Sequence, residues 1–233
     1  MTEENLLKIK KQRSTLFPLL VFLGGASAAY YVVLRPQMLR WGTEKDEATR
    51  SFPGDEVILH PQLQLTAAID IEAPAEVVWA WLAQMGRGGT GYYSFDRLTN
   101  NGISSANIIR TDLPRISPGM ELDNGLRVLQ VDPSESLVLG GFSRTGLFGV
   151  HFDVTSAYIL QAVSENHTRL ICRTRLYSYG LKGILYNIIS EPLFFVQLFA
   201  QLVNLRIRAE SSRFQIILSK EKSNGNIRMT SSN

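Results

Sequence analysis

The chain has 233 residues, 45% of them hydrophobic, with 24 Lys and Arg against 21 Asp and Glu, a net charge of +3 and a pI near 9.0. The excess basic charge sits at the ends: residues 1–14, Arg35 and residues 219–233 carry eight basic and three acidic residues, which leaves 16 against 18 elsewhere, a net of −2. A nucleic-acid-binding domain carries its positive charge on the folded face, so no nucleic-acid partner is expected. The lone Cys172 excludes an internal disulfide.

Residues 1–14 form a basic tail with Lys8, Lys10, Lys11 and Arg13. Residues 15–34, TLFPLLVFLGGASAAYYVVL, are 20 consecutive residues without a charge. Twenty helical residues reach about 30 Å, the thickness of a bilayer's hydrocarbon core. A basic start followed by Ala26-Ser27-Ala28 also fits a cleavable signal peptide. The apolar run continues past that point, however, through Tyr30, Tyr31, Val32, Val33 and Leu34, and tyrosines suit the membrane–water interface. An uncleaved, single-pass transmembrane helix is the favoured reading. Lys and Arg are slightly denser before the span than after it, which leans toward a cytoplasmic N-terminus and a domain on the non-cytoplasmic side. Asn166-His167-Thr168 is a formal glycosylation sequon, meaningful only for an exported domain in a eukaryote.

Residues 35–62 read as a linker-like lead-in rich in turn residues, among them Pro36, Pro53, Gly54 and Pro61. From Leu63 to Ile71 apolar residues recur at every second position, a half-buried strand. Pro74 and Glu76 suit the first turn of a helix running to about Met85, with Val77, Val78, Trp81, Leu82 and Met85 on one face. Mixed loop follows over 92–117. Strand-like runs then cover 126–131, 136–139, 150–163 and 168–177, separated by Asp132-Pro133-Ser134, Gly140-Gly141 and Ser164-Glu165-Asn166. A long helix starts near Ser190-Glu191-Pro192 and runs to about Leu218. Gln197, Gln201, Asn204, Arg208, Ser211 and Gln215 recur at steps of three and four, so this helix reads as amphipathic and soluble, covering an apolar surface, ahead of a second span, with a helix lying on the bilayer surface as a further alternative. A tail from 219 to 233, rich in Ser, Asn and Lys, is expected to be disordered. Helices segregated from a run of strands make the domain at 63–218 an α+β unit.

The chain resembles the START/Bet v 1-like superfamily, also described as polyketide cyclase/dehydrase and lipid transport proteins. Four segments over residues 40–215 carry the likeness: Arg40-Trp41-Gly42-Thr43 leading to Phe52-Pro53-Gly54-Asp55-Glu56, the strand and helix from Ile69 to Leu82, the box Gly91-Tyr92-Tyr93-Ser94-Phe95-Asp96, and the closing strand and helix. The resemblance implies a helix-grip fold, a curved antiparallel sheet around a long C-terminal helix with an apolar cavity between them. It also implies an apolar, amphipathic or lipid-like small-molecule partner; no cofactor is expected. Fold alone does not choose between binding and catalysis.

The candidate ligand-binding residues follow. Tyr92, Tyr93, Phe95 and Asp96 suit the wall of a mostly apolar pocket with a few polar points, or equally a packed aromatic cluster with Asp96 capping a helix. Trp81, Phe195 and Phe199 are the aromatic candidates on the two helices, Trp81 being better suited to core packing than to ligand stacking. Arg173 and Arg175 share one face of a strand. They would either hold an acidic ligand head in the cavity or lie on a solvated outer face, and the outer face is favoured. Gly86-Arg-Gly88-Gly89-Thr90-Gly91 matches GxGxxG, but it follows a helix where a dinucleotide loop follows a strand, so it reads as a helix stop and turn. The histidines lack metal-ligand spacing, and no metal is expected. No nucleophile–base pair or nucleophile elbow is visible, so the catalytic residues are unknown. The expected role is membrane-anchored binding, extending to transfer, of a hydrophobic small molecule. The alternatives are a cyclase- or dehydratase-type enzyme on a membrane-soluble substrate, and an interaction module with a filled core.

Overall fold

The computed structural model describes residues 18, 21–22, 24–44, 46–146 and 149–230, with side chains of the last helix described as far as Ser212. The chain divides into two compact units, Met1–Leu39 and Arg40–Asn233. In the first, residues 24–29 are α-helical, Tyr30–Leu34 form a π-helical turn and α1 spans Arg35–Leu39. Its apolar side chains Val21, Phe22 and Tyr31 to Leu34 are exposed. The expected span over 15–34 lies in part outside the described residues.

The second unit is α+β. Its elements are β1 (Leu63–Ile71), α2 (Ala75–Gln84), α3 (Asp96–Thr99), β2 (Arg127–Asp132), β3 (Ser136–Thr145), β4 (His151–Ser164), β5 (His167–Ser178) and α4 (Leu181–Thr230). The strands form one antiparallel sheet in the order β1-β5-β4-β3-β2. With the long C-terminal helix, this is a helix-grip-like arrangement.

Alternation assigns the two faces of the sheet. Leu65 and Ala67 of β1 pair with Thr174 and Cys172 of β5 on the face toward the helices. On this side lie the buried Trp81 and Leu82 of α2 and Leu198, Leu202 and Leu205 of α4. The other face carries Ala68, Ile171, Val138, Ala157 and Ile159, and Phe52 of the lead-in completes that apolar cluster. The segment 40–62 is therefore not a free linker. It covers the outer face of the sheet, and the backbone N–H of Ala68 on edge strand β1 donates to the Trp41 carbonyl at 3.0 Å.

The closing helix departs from expectation at both ends. It begins at Leu181 and carries Pro192 inside it, where the sequence suggests a start near Ser190-Glu191-Pro192. Tertiary packing supports the extra turns: Tyr186 stacks on Phe152 at 5.5 Å, and Gly183 sits against Ser178 with no room for a Cβ. At the far end the helix continues through Thr230, past the expected limit at 218, and takes in most of the tail expected to be disordered. No proline interrupts residues 193–230, and the single Gly225 there costs only about 1 kcal/mol. Leu181–Ser212 is long and apolar enough to cross a membrane. Among the described residues the helix with that property is thus C-terminal and does not precede the sheet.

Candidate functional site

A cavity of about 230 Å³ lies between the sheet and α4. Leu65, Leu139, Phe152 and Val154 supply its apolar sheet wall, and Phe194 and Leu198 its helix wall. Polar groups converge on one side. Tyr158 Oη donates to Gln201 Oε1 at 2.8 Å, and Gln201 Nε2 donates to the Tyr92 carbonyl at 2.9 Å and to Met85 Sδ at 3.2 Å. Ser156 and Thr174 share a hydrogen bond of 3.2 Å across β4 and β5. Arg144 also lines the cavity. Its guanidinium donates to the Asn124 carbonyl at 2.7 Å and forms no ion pair among the described residues.

The phenols here stay protonated. Burial pushes the Tyr158 hydroxyl well above its ordinary 10, and its neighbour Cys172 adds to this. Burial raises Tyr92 strongly too, the hydrogen bond from Asn124 opposing. These groups therefore act as neutral hydrogen-bonding points. Among the described residues lining the cavity there is no carboxylate and no imidazole.

The sequence-derived candidates separate in space. Tyr92 lines the cavity. Tyr93 is buried beside it but turned away: its hydroxyl donates to the Trp81 carbonyl at 3.1 Å and accepts from Gln84 Nε2 at 3.0 Å. Trp81 packs edge-on against Tyr93 at 5.7 Å and donates from Nε1 to Ser212 Oγ at 3.1 Å, which ties α2 to α4. Phe95 is exposed. Asp96, in the first turn of α3, accepts from the Ser105 amide and hydroxyl and so fastens the following loop. Phe195 and Phe199 lie together at 6.2 Å on α4, and Phe199 meets Trp41 edge-on at 4.9 Å.

Arg173 and Arg175 point away from the cavity, onto the outer face, yet that face is not solvated. Arg173 is 2% exposed and donates to Asp55 Oδ2 at 2.8 Å, to Thr66 Oγ1, and to the Glu47 and Arg50 carbonyls. Arg175 meets Asp55 Oδ1 at 3.1 Å and donates to Gln64 Oε1 and to the Asp55 and Ile58 carbonyls. Both are consumed in binding the lead-in to the sheet. Gln201 and Arg144 are the functional candidates that sequence reasoning passes over. Gln201 belongs to the polar stripe of α4, whose middle members face the 92–107 loop: Gln201, Asn204 and Arg208 donate to the carbonyls of Tyr92, Tyr93 and Ala106.

The glycine loop at 86–91 is likewise in use. The amides of Gly88 and Gly89 donate to the Asp123 carboxylate at 3.2 and 2.9 Å, so the chain's own acid occupies the position an anion would take. A second concavity of about 400 Å³ lies along α2 and the 109–116 loop. Two of its three arginines are spent: Arg87 donates to the Ala83 and Pro114 carbonyls, and Arg110 pairs with Asp112. The smaller cavity, with polar groups converging between sheet and helix, is the stronger site.

No family model and no curated protein matches the chain. Among solved structures it is similar to protein CV1439 from Chromobacterium violaceum, at 13% identity over 63% of this chain and 96% of that one, with a TM-score of 0.42. It is also similar to DynU16 of the dynemicin biosynthetic locus, at 14% identity over 66% of this chain and 49% of that one, TM-score 0.43. A third likeness is to the di-domain ARO/CYC protein BexL of the BE-7585A biosynthetic pathway, at 11% identity over 64% and 47%, TM-score 0.41. At this level of similarity the fold rests on the chain's own topology and the function on its own cavity.

Proposed function

We propose that the protein is a membrane-anchored member of the START/Bet v 1-like superfamily that binds a small apolar molecule with one polar, preferably acidic, end. The observation that carries this is the cavity of about 230 Å³, with an apolar wall, with Gln201, Tyr158, Ser156 and Thr174 converging on one side of it, and with an Arg144 that forms no ion pair among the described residues. Ligand sites for drug-sized molecules run to about 300–1,000 Å³, so this one suits a smaller molecule or one segment of a longer chain. A guanidinium beside an apolar wall favours a carboxylate or another planar acid through a forked pair of hydrogen bonds. The uncharged run at 15–34 supplies the anchor in this reading, and the basic N-terminal tail meets anionic headgroups.

Native mass spectrometry of the full chain released from nanodiscs, followed by solvent extraction, tests the proposal. A discrete bound mass that extracts as an apolar acid is expected. It should be lost in Ser156→Phe, which fills the cavity, and weakened about tenfold in Arg144→Ala. A bare wild-type protein that takes up nothing from a panel of fatty acids and lipids would overturn the binding role.

A further inference from the structure

The first half of α4 is amphipathic in the reverse sense to a soluble surface helix. Leu181, Ile184, Leu185, Ile188, Leu193 and Val196 recur at helical spacing and are 45–87% exposed. The side of these turns facing the domain is polar or small in part, with Gly183, Ser190 and Glu191 buried. Between Lys182 and Arg206, Glu191 is the only charged residue, so the outward stripe from Ile184 onward carries no charge. A continuous uncharged apolar strip on a folded domain marks a surface that another phase or partner covers.

Three observations point to lipid as that cover. The strip begins beside the exposed Tyr177 and Tyr179 and Lys182, residue types that favour the headgroup layer. It ends at Phe199, against whose ring Trp41 packs edge-on at 4.9 Å. Trp41 in turn follows the end of the uncharged run, Leu34, by seven residues, a stretch of chain that reaches about 25 Å at most. An anchor in the N-terminal run is thus joined by a short connection to the residue that packs against the end of the strip. We infer that the outward face of residues 181–199 lies on the bilayer surface, so that the same helix turns hold lipid on one side and the ligand cavity, through Phe194 and Leu198, on the other. This inference rests on the membrane-anchored reading above.

The test uses the full chain with a single added cysteine, Leu185→Cys, Leu193→Cys, Val196→Cys or, as control, Glu165→Cys in the β4–β5 turn; Cys172 is buried and stays unlabelled. Each is labelled with an environment-sensitive fluorophore and reconstituted into phosphatidylcholine–phosphatidylglycerol vesicles with and without nitroxide-labelled lipid. Stripe probes are expected to shift to the blue and to be quenched at least threefold more than the probe at 165. Equal quenching at all four sites, in vesicles that retain the chain through an alkaline carbonate wash, overturns the inference and leaves the anchor intact; a probe shielded from water but not quenched by lipid assigns the strip to a second copy of the chain and overturns it equally. Quenched stripe probes on a chain that the wash removes uphold the surface contact and overturn the anchor. Loss of both overturns both.

Discussion

The Arg169 guanidinium closes on the Glu47 carboxylate through two hydrogen bonds, Nε to Oε1 at 2.5 Å and NH2 to Oε2 at 2.7 Å, with both side chains buried. Arg169 also reaches Asp70 at 2.9 Å and the Gly42 carbonyl at 2.7 Å. One residue of β5 thereby fixes both the lead-in and its neighbour on β1. Removing one partner of a buried pair strands the other's charge, which costs about 3–5 kcal/mol. Asp70 stays beside Arg169, so Glu47→Ala should lower stability by the lower end of that range, about 3 kcal/mol, in urea unfolding at pH 7.

The same pair sets the acid limit. Burial acts to raise the Glu47 carboxyl, but the Arg169 hydrogen bond and the Glu44 amide outweigh it, so the group lies below its ordinary 4.5. A depressed carboxyl contributes stability that is complete above the unfolded value and is lost as pH falls through the folded one. Wild-type urea midpoints should therefore hold down to about pH 5 and fall steeply below 4.5. Glu47→Gln should start lower and show a shallower slope over pH 3–5; an unchanged slope would exclude this pair as the acid-sensitive element.

How much of this was legible beforehand depended on whether a residue's role was local. The periodicity of Val78, Trp81 and Leu82 encodes which face is buried, and the structure places them accordingly; the alternation of Leu63–Ile71 marks the face toward the helices, but the strand is not half-buried, because the lead-in covers its other face as well. The two faces of β5 were separable for the same reason. What covers the arginine face was not, because Glu47 and Asp55 lie more than 110 positions away in sequence and nothing local announces that a proline- and glycine-rich segment will pack. The polar stripe of α4 misled similarly: a glutamine at helical spacing looks alike whether it meets water or the Tyr92 carbonyl. Arg144, in a strand broken by a bulge after Gly141, gave no pattern to read.

Gly86 should not tolerate a side chain. Its φ is +67°, and a Cβ there would lie 2.4 Å from the Tyr92 ring. The left-handed backbone alone costs an alanine about 1–3 kcal/mol, and the overlap adds about as much. Gly86→Ala should therefore be destabilised by about 3 kcal/mol. In Gly86→Ala/Tyr92→Ala the ring is gone and only the backbone penalty remains, so a double-mutant cycle should show coupling of at least 1 kcal/mol. Strict additivity would mean that the ring yields freely.

Cys172 should behave as an inert core thiol. It is fully buried, and burial pushes it up to about 12 while Thr174 and Tyr158 oppose weakly. The native chain should resist iodoacetamide at pH 8 and react at once in 8 M urea. The sign at alkaline pH follows: the thiol's contribution is complete below its ordinary 9 and is lost as pH rises toward 12, because the unfolded chain ionises first. Cys172→Ala should flatten that alkaline loss.

Gln201 is where the ligand cavity and the closing helix are joined. Its carbonyl oxygen accepts from Tyr158 on β4 while its amide donates to the Tyr92 carbonyl and to Met85. Gln201→Leu keeps the volume roughly constant but leaves a phenol and a carbonyl unpaired in the wall, each costing about 1–3 kcal/mol. Tyr158→Phe alone strands only the glutamine oxygen, and adding it to Gln201→Leu removes one of the two orphans. The double variant should thus be more stable than Gln201→Leu by about 1 kcal/mol, a reversal that simple loss of packing would not give. Hydrogen exchange supplies the spatial readout. Amides of residues 197–204 should exchange about tenfold faster in Gln201→Leu, since those turns lose their tie to both the sheet and the 92–107 loop, while amides of β1 and β5 keep their protection. Uniform acceleration across the sheet would instead mean that Gln201 supports the whole fold and not the helix that closes the cavity.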